Sequence, residues 1–268
     1  MALVFMNHLN KETTVVHKHP IVAAFDMDGT LIDCEPHNRA AVEEAAGGRY
    51  IDWLKMAGQA EVSIHAWIQE RDSSFNIDPT QFVNDCVKGY QIREHKICAR
   101  AGVVEALEFL REREIPIIIV TNTNHKLAVE KMRRAGLLSY LDTSSITDGI
   151  LGKDDVIALG MKPKSSSDPY THVAEMMKAE HLAIYEDSPT GMDSADSAKA
   201  VLHANGNMRV TIAHIYDCGA PPDSRADYVI DGRSPEDLIY TTQAIFDLSG
   251  KRPLLEPARI PLRAAARG

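Results

Sequence analysis

Two short acidic clusters stand out in this chain: Asp26 and Asp28, two residues apart, and the adjacent pair Glu186 and Asp187. In extended chain the side chains of residues i and i+2 point the same way, so Asp26 and Asp28 aim two carboxylates into one space. Carboxylates held together repel unless a cation compensates, and a set of hard oxygen ligands selects Mg²⁺. Glu186 and Asp187 can add oxygens to the same ion, and Gly29 lets the backbone turn sharply behind the acids. The chemistry such a set can carry is phosphoryl transfer. One carboxylate attacks phosphorus to form an aspartyl-phosphate. A metal ion shields the attacking group from the anionic substrate. The second carboxylate protonates the leaving oxygen and then takes a proton from the hydrolytic water. Thr121 and Asn122, in a third polar cluster, can hold the phosphoryl oxygens, and a lysine completes the neutralisation. Each cluster alone also suits a solvated turn or a helix cap, so the reading rests on their combination.

The elements that position these residues are legible as apolar runs. Residues 21–25, 115–120 and 182–185 are short apolar stretches bounded by turn residues, as buried strands are, and each runs directly into one of the polar clusters. Helical patterns lie between them. Val103, Leu107 and Leu110 fall at i, i+4 and i+7 and predict a helix over 102–113. A helix over 126–135 stops at Gly136. Asp168 as N-cap, followed by Pro169, starts a helix through Met177. Residues 228–230 read as a further strand, and Ser234-Pro235-Glu236 opens a helix to about Phe246. Strands alternating with helices give an α/β fold with a mostly parallel sheet. Ligands of such sheets bind beyond the carboxyl ends of the strands, where the three clusters converge.

The alternation breaks between residues 34 and 99, which lack apolar strand runs and read as a small inserted helical domain; Asp78-Pro79 is an N-cap and first-turn pair within it. The expected organisation is a polar tail over 1–19, a core formed by 20–33 and 100–248, a helical cap over 34–99, and a basic tail over 249–268 carrying Lys251, Arg252, Arg259, Arg263 and Arg267, either disordered or a partner-binding arm. The composition, 44% hydrophobic and 25% charged, is that of a soluble globular protein. A net charge of -9 argues against a general nucleic-acid binder. Cys34, Cys86, Cys98 and Cys218 form no C-x-x-C pair, which argues against a zinc knuckle or redox motif. No signal peptide or membrane span is read. The expectation is a cytoplasmic protein with a small phosphorylated partner; the sequence does not indicate an oligomeric state.

Asp26-Met-Asp-Gly-Thr-Leu-Ile-Asp33 resembles, almost letter for letter, the first motif of the haloacid dehalogenase superfamily in its phosphatase and β-phosphoglucomutase-like branch. Ile118-Ile-Val-Thr-Asn122 is similar to the second motif, and Tyr185-Glu-Asp-Ser-Pro-Thr-Gly191 to the fourth. Arg225-Ala-Asp-Tyr-Val-Ile230 resembles the segment before the family's last helix. The resemblance implies a Rossmann-like core, a helical cap inserted after the first strand, and Mg²⁺ held by Asp26, Asp28 through its backbone carbonyl, Glu186 and Asp187. It makes Asp26 the nucleophile, Asp28 the acid/base and Thr121 the phosphoryl-binding hydroxyl. The second Asp distinguishes this chain from members that cleave haloalkanoates or phosphonates.

The third motif departs from the family's Lys-Pro-x-Pro-Asp. The text is Lys162-Pro-Lys164-Ser-Ser-Ser-Asp168-Pro-Tyr170. Lys162 keeps the Lys-Pro dipeptide, whereas Lys164 keeps the four-residue spacing to Asp168; both stand as phosphate-binding candidates ahead of Lys153. Sugar-phosphate mutases of this type tend to carry histidine where Asn38 stands, and His37, one residue away, would point about 100° aside on a helix. That favours a phosphatase of small sugar or polyol phosphates over a phosphomutase; a non-catalytic binding protein is the third reading. Cap cations that could meet substrate include Arg39, Arg49, Lys55, His65, Arg71 and Lys88.

Overall fold

A computed structural model describes residues 21–246 except 57, 58, 60, 207 and 217–221. The tails expected over 1–19 and 249–268, and Cys218, lie outside the described residues.

Six parallel strands form one sheet: β1 (Ile21–Phe25), β2 (Ile117–Val120), β3 (Ile150–Leu151), β4 (His181–Glu186), β5 (Arg209–Tyr216) and β6 (Tyr228–Asp231), in spatial order β3-β2-β1-β4-β5-β6. Strand β1 is central, with Ala24 registered against Ile118 on one side and Ile184 on the other. Its residues are buried without exception, as expected where helices cover both faces and strands are continuously apolar. Successive side chains go to opposite faces. Ala23 and Phe25 join a cluster with α5 (Val103–Arg111), α6 (His125–Arg134) and α10 (Pro235–Phe246), where the Phe25 and Tyr185 rings stack with centroids 4.2 Å apart. Val22 and Ala24 join the opposite cluster with α8 (Asp168–Met176) and α9 (Pro189–Gly206). The strand order changes direction between β1 and β4, so the crevice of a doubly wound sheet lies beyond Phe25 and Glu186.

Residues 35–93 hold four helices, α1 (Glu35–Ala45), α2 (Trp53–Met56), α3 (Glu61–Arg71) and α4 (Pro79–Arg93). A cluster of their own, including Val42, Ile64, Ile68, Phe75, Phe82 and Cys86, packs them together. Helices α1 and α4 touch at Gly89, where an added Cβ would come 2.7 Å from that of Ala41. Asp78 caps α4 by accepting from the N–H groups of Thr80 and Gln81. His65 is buried against Phe75 and Phe82 with its Nε2 on the Ile77 carbonyl, so it packs within this bundle. The chain leaves and re-enters the sheet through paired segments, with Ile32 bridged antiparallel to Ala99 and the Arg100 N–H donating to the Leu31 carbonyl.

Three local expectations are corrected. The run at 115–120 becomes strand only from Ile117, because Ile115 and Pro116 close the turn after α5. Strands β3 and β5, the six-residue helix α7 (Lys153–Ala158) and the 18-residue helix α9 were not anticipated. Asp168 is not the N-cap of α8. Ser167 holds that place, and Asp168, the first helical residue, accepts from the Lys162 N–H and the Ser166 hydroxyl. Among the described residues no helix is long and apolar enough to cross a membrane.

Candidate active site

The ends of β1, β2 and β4 bring the acidic and polar clusters to one cavity of about 850 Å³. Asp26, the residue after β1, is 9% exposed, and its Oδ1 accepts from Lys164 Nζ at 2.7 Å. The same ammonium lies 2.6 Å from Glu186 Oε1, and Tyr170 donates its hydroxyl to that oxygen. Oxygens of Asp26, Glu186 and Asp187 lie within 4.8 Å of one another. Glu186 Oε2 is buried with no hydrogen-bond partner among the described residues. Gly191 makes room for that oxygen: an added Cβ would sit 1.8 Å from it. Gly29 (φ +89°) does the same for Asp187, whose Oδ2 would lie 2.0 Å from an added Cβ.

Asp28 is held separately. Strand β1 ends at Phe25, so the two-residue alternation does not carry on to Asp28. Its oxygens accept from Lys131 Nζ on α6 at 2.8 and 2.9 Å, from the Thr123 hydroxyl at 2.8 Å and from Cys34 Sγ at 3.2 Å. The two carboxylates therefore titrate in opposite directions. Burial, opposed by Lys164 and reinforced by Glu186, raises Asp26 to about 7. Burial also pushes Asp28 upward, but Lys131 and the hydrogen bonds outweigh it and hold the group below the usual carboxylate range.

The remaining candidates separate by geometry. Thr121 is buried, and its Oγ1 accepts from the Thr123 N–H, which leaves its O–H a donor at the cavity wall. Asn122 lines the cavity and donates its amide to the Lys164 carbonyl, tying the loop after β2 to the loop before α8. Lys164 is in the site; Lys162 is exposed and engages Asp168 through its backbone; Lys153 is exposed on α7. From the helical segment Asn38, Arg39, Tyr50, Trp53 and Lys55 reach the cavity, with the Arg39 guanidinium stacked 5.4 Å from the Trp53 ring centre. Arg49 pairs with Asp72, Arg71 stacks on Trp67, and Lys88 pairs with Asp85 within the bundle, and none of the three lines the cavity.

Sequence reasoning missed Lys131, Thr123, Tyr170 and His214. Lys131 lies 103 residues from its partner, and its one signal is a place beside the buried stripe of Ala128 and Met132. Tyr170 was legible as core through its spacing to Val173 and Ala174. His214, on β5, accepts the Asp223 N–H at Nδ1, so the neutral ring presents Nε2–H to the Asp187 carbonyl 3.4 Å away; burial holds its pKa below the ordinary value.

Residues 22–199 match the family model described as haloacid dehalogenase-like hydrolase. A phosphorylated carbohydrates phosphatase of Thermotoga maritima is 28% identical over 189 residues, covering 65% of this chain and 79% of the relative. A phosphoglycolate phosphatase of Neisseria gonorrhoeae is 27% identical over 194 residues, covering 68% and 78%. The fold is shared with a haloacid dehalogenase family hydrolase of Deinococcus radiodurans solved with bound phosphate and sodium, with a TM-score of 0.64, 22% identity and coverage of 84% and 96%. A haloacid dehalogenase-like protein of Agrobacterium tumefaciens has a TM-score of 0.65 at 20% identity, covering 84% and 98%.

Proposed function

The chain belongs to the haloacid dehalogenase-like hydrolase family, and from that premise we propose that it hydrolyses the phosphoric monoester of a small phosphorylated metabolite, a sugar or polyol phosphate, through an aspartyl-phosphate on Asp26. The observation that carries this reading is the setting of Asp26: a carboxylate at the mouth of the sheet crevice, bonded to Lys164 and opening on the same cavity as Thr121 and Asn122. Asp26 Oδ attacks phosphorus while Lys164, Thr121 and backbone N–H groups of the loop after β2 hold the other oxygens. The ester P–O bond breaks, and the leaving oxygen takes a proton from Asp28. Water then attacks the phosphoryl group, returns a proton to Asp28 and releases Asp26. The bonds from Lys131, Thr123 and Cys34 hold Asp28 ionised, which suits it to accept the proton of water. To act as acid in the first half-reaction it must take up a proton, so its pairing with Lys131 loosens at that stage.

The donor set fits Mg²⁺, which Asp26, Glu186 and Asp187 would hold. All three offer hard oxygens, they converge within 4.8 Å, and the orphaned Glu186 Oε2 is a buried acceptor awaiting a cation. Bound there, the ion would offset the carboxylates and the incoming phosphoryl oxygens. For the leaving group, a cavity of about 850 Å³ walled by Trp53, Tyr50, Asn38 and Arg39 supports something larger than a two-carbon acid. Residues 34–99 would act as the cap that encloses it.

The test is phosphate release from p-nitrophenyl phosphate and from a panel of sugar, polyol and two-carbon acid phosphates. Activity should require Mg²⁺, vanish with EDTA and be absent in Asp26→Asn. Turnover that survives in Asp26→Asn would refute the assignment, and isomerisation without phosphate release would mark a mutase instead.

A further inference from the structure

The two oxygens of Glu186 are not equivalent. Oε1 takes two donors, Lys164 Nζ at 2.6 Å and the Tyr170 hydroxyl at 2.5 Å, as many as its two lone pairs can accept. Oε2 takes none, though it is as deeply buried, and it is the oxygen that faces the gap left by Gly191. A carboxylate can rotate, and Lys164 alone cannot prevent this, because an ammonium on a flexible stem bonds either oxygen equally well. Tyr170 differs. It is wholly buried on α8 among Val173, Ala174 and Met192, its ring has little freedom, and its hydroxyl reaches Glu186 from one fixed direction. Lys164 also lies 5.3 Å over the Tyr170 ring, so the same side chain braces the ammonium.

We propose that Tyr170 is a positioning residue that commits one oxygen of Glu186 to the protein and thereby turns the other toward the divalent cation. The assignment rests on the metal-dependent phosphatase reading above. Tyr170 touches no reacting atom; it acts through Glu186. It also explains why one buried oxygen of Glu186 is left unpartnered: the free oxygen is the outcome of the restraint on its twin.

The experiment is a Mg²⁺ titration of substrate-free protein, followed by thermal unfolding, for wild type, Tyr170→Phe, Glu186→Gln and the double variant. Phenylalanine keeps the buried ring, so the variant should fold. The Mg²⁺ binding midpoint, the Kd fitted to the logarithmic rise of Tm with Mg²⁺, should rise about 10- to 100-fold in Tyr170→Phe, the usual effect of removing a partner behind a metal ligand. Saturating Mg²⁺ should restore most of kcat. In the Glu186→Gln background Tyr170→Phe should shift the midpoint no further. A lowered melting temperature with an unchanged Mg²⁺ midpoint would reduce Tyr170 to packing and overturn the proposal. So would an equal shift in both backgrounds, which would mean that Tyr170 does not act through Glu186. If Mg²⁺ fails to stabilise even the wild type, the metal-dependent reading itself falls.

Discussion

Replacing Lys131 with methionine isolates the contribution of the ion pair that holds Asp28. Methionine preserves most of the stem and removes the charge. Two unit charges 2.8 Å apart attract by about 6 kcal/mol at an effective dielectric of about 20, but desolvation cancels much of that. Deleting one partner of a fully buried pair costs about 3–5 kcal/mol, whereas exposed pairs contribute about 1 kcal/mol or less. The Lys131 and Asp28 side chains are 17% and 25% exposed, which places this pair between the limits, at about 2–3 kcal/mol. For a chain of this size that is a fall of about 4–12 °C in Tm. The loss should depend on pH in a defined way. Asp28 is depressed in the folded protein and Lys131 is raised. The carboxylate's share is present above its unfolded pKa of about 3.9 and lost as pH falls through the lower folded value; the lysine's share is present below about 10.4 and lost as pH rises through the higher folded value. The gap between wild type and Lys131→Met should thus be widest between about pH 5 and 10 and should narrow toward pH 3, where Asp28 can protonate. Differential scanning calorimetry of the metal-free proteins at pH 3.5, 7 and 9 measures it. A difference under about 1 kcal/mol at pH 7, or one that does not shrink in acid, refutes the reasoning.

Three further outcomes are expected. Lys164→Ala should lower activity by about 10²-fold or more and destabilise the metal-free protein, because it strands Asp26 and Glu186 together, while Lys162→Ala, exposed, should stay within about 0.5 kcal/mol and keep activity; the reverse order in phosphatase assays would overturn the choice of lysine. Gly191→Ala gains about 1 kcal/mol of helix propensity, but its Cβ would lie 1.8 Å from an oxygen of a carboxylate pinned by Lys164 and Tyr170, and overpacking of about 1–3 kcal/mol should win, lowering both Tm and Mg²⁺ affinity. Asp26, raised to about 7 without metal, keeps its proton longer in the folded than in the unfolded chain, so metal-free stability falls as pH climbs from about 4 to 7; the Tm gain from Mg²⁺ should be larger at pH 8 than at pH 5.5, and an equal gain at both would contradict the shift.

What was legible in the sequence follows from the range of the forces involved. Strand β1 and the acids behind it could be read because burial on both faces demands an unbroken apolar run and the turn that follows is local chemistry. Strand β5 is buried from Val210 to Ile215, yet Thr211 and His214 interrupt its apolar run. Thr211 is satisfied by His181 of β4 at 2.9 Å, a pairing visible only once the two strands are neighbours. The choice between Lys162 and Lys164 depended on where an ammonium reaches from the loop before α8, which spacing constrains and dipeptide likeness does not; the structure puts Lys164 Nζ on Asp26. The pairing of Lys131 with Asp28 could not be read, since an ion pair across 103 residues leaves no periodic trace; only the place of Lys131 beside a buried helix stripe was visible.

Charge arithmetic ties these particulars together. Four carboxylates, Asp26, Asp28, Glu186 and Asp187, line or border the crevice, and two lysines, Lys164 and Lys131, contact them. Lys131 bonds both oxygens of Asp28 and holds its carboxylate ionised in the resting site. Burial raises Asp26 to about 7 because Lys164, shared between Asp26 and Glu186, opposes it only in part, and one Glu186 oxygen is left bare. The incompletely met charge therefore lies on Asp26 and Glu186, which converge with Asp187 to make three, and not on Asp28. The nucleophile proposed above must be ionised to attack, and a divalent cation placed among those three would favour the ionised form of Asp26 while leaving the Asp28 carboxylate to its lysine. The two acids separated by one residue are thus divided by their partners: Asp26 shares Lys164 with Glu186, and Asp28 is held by Lys131.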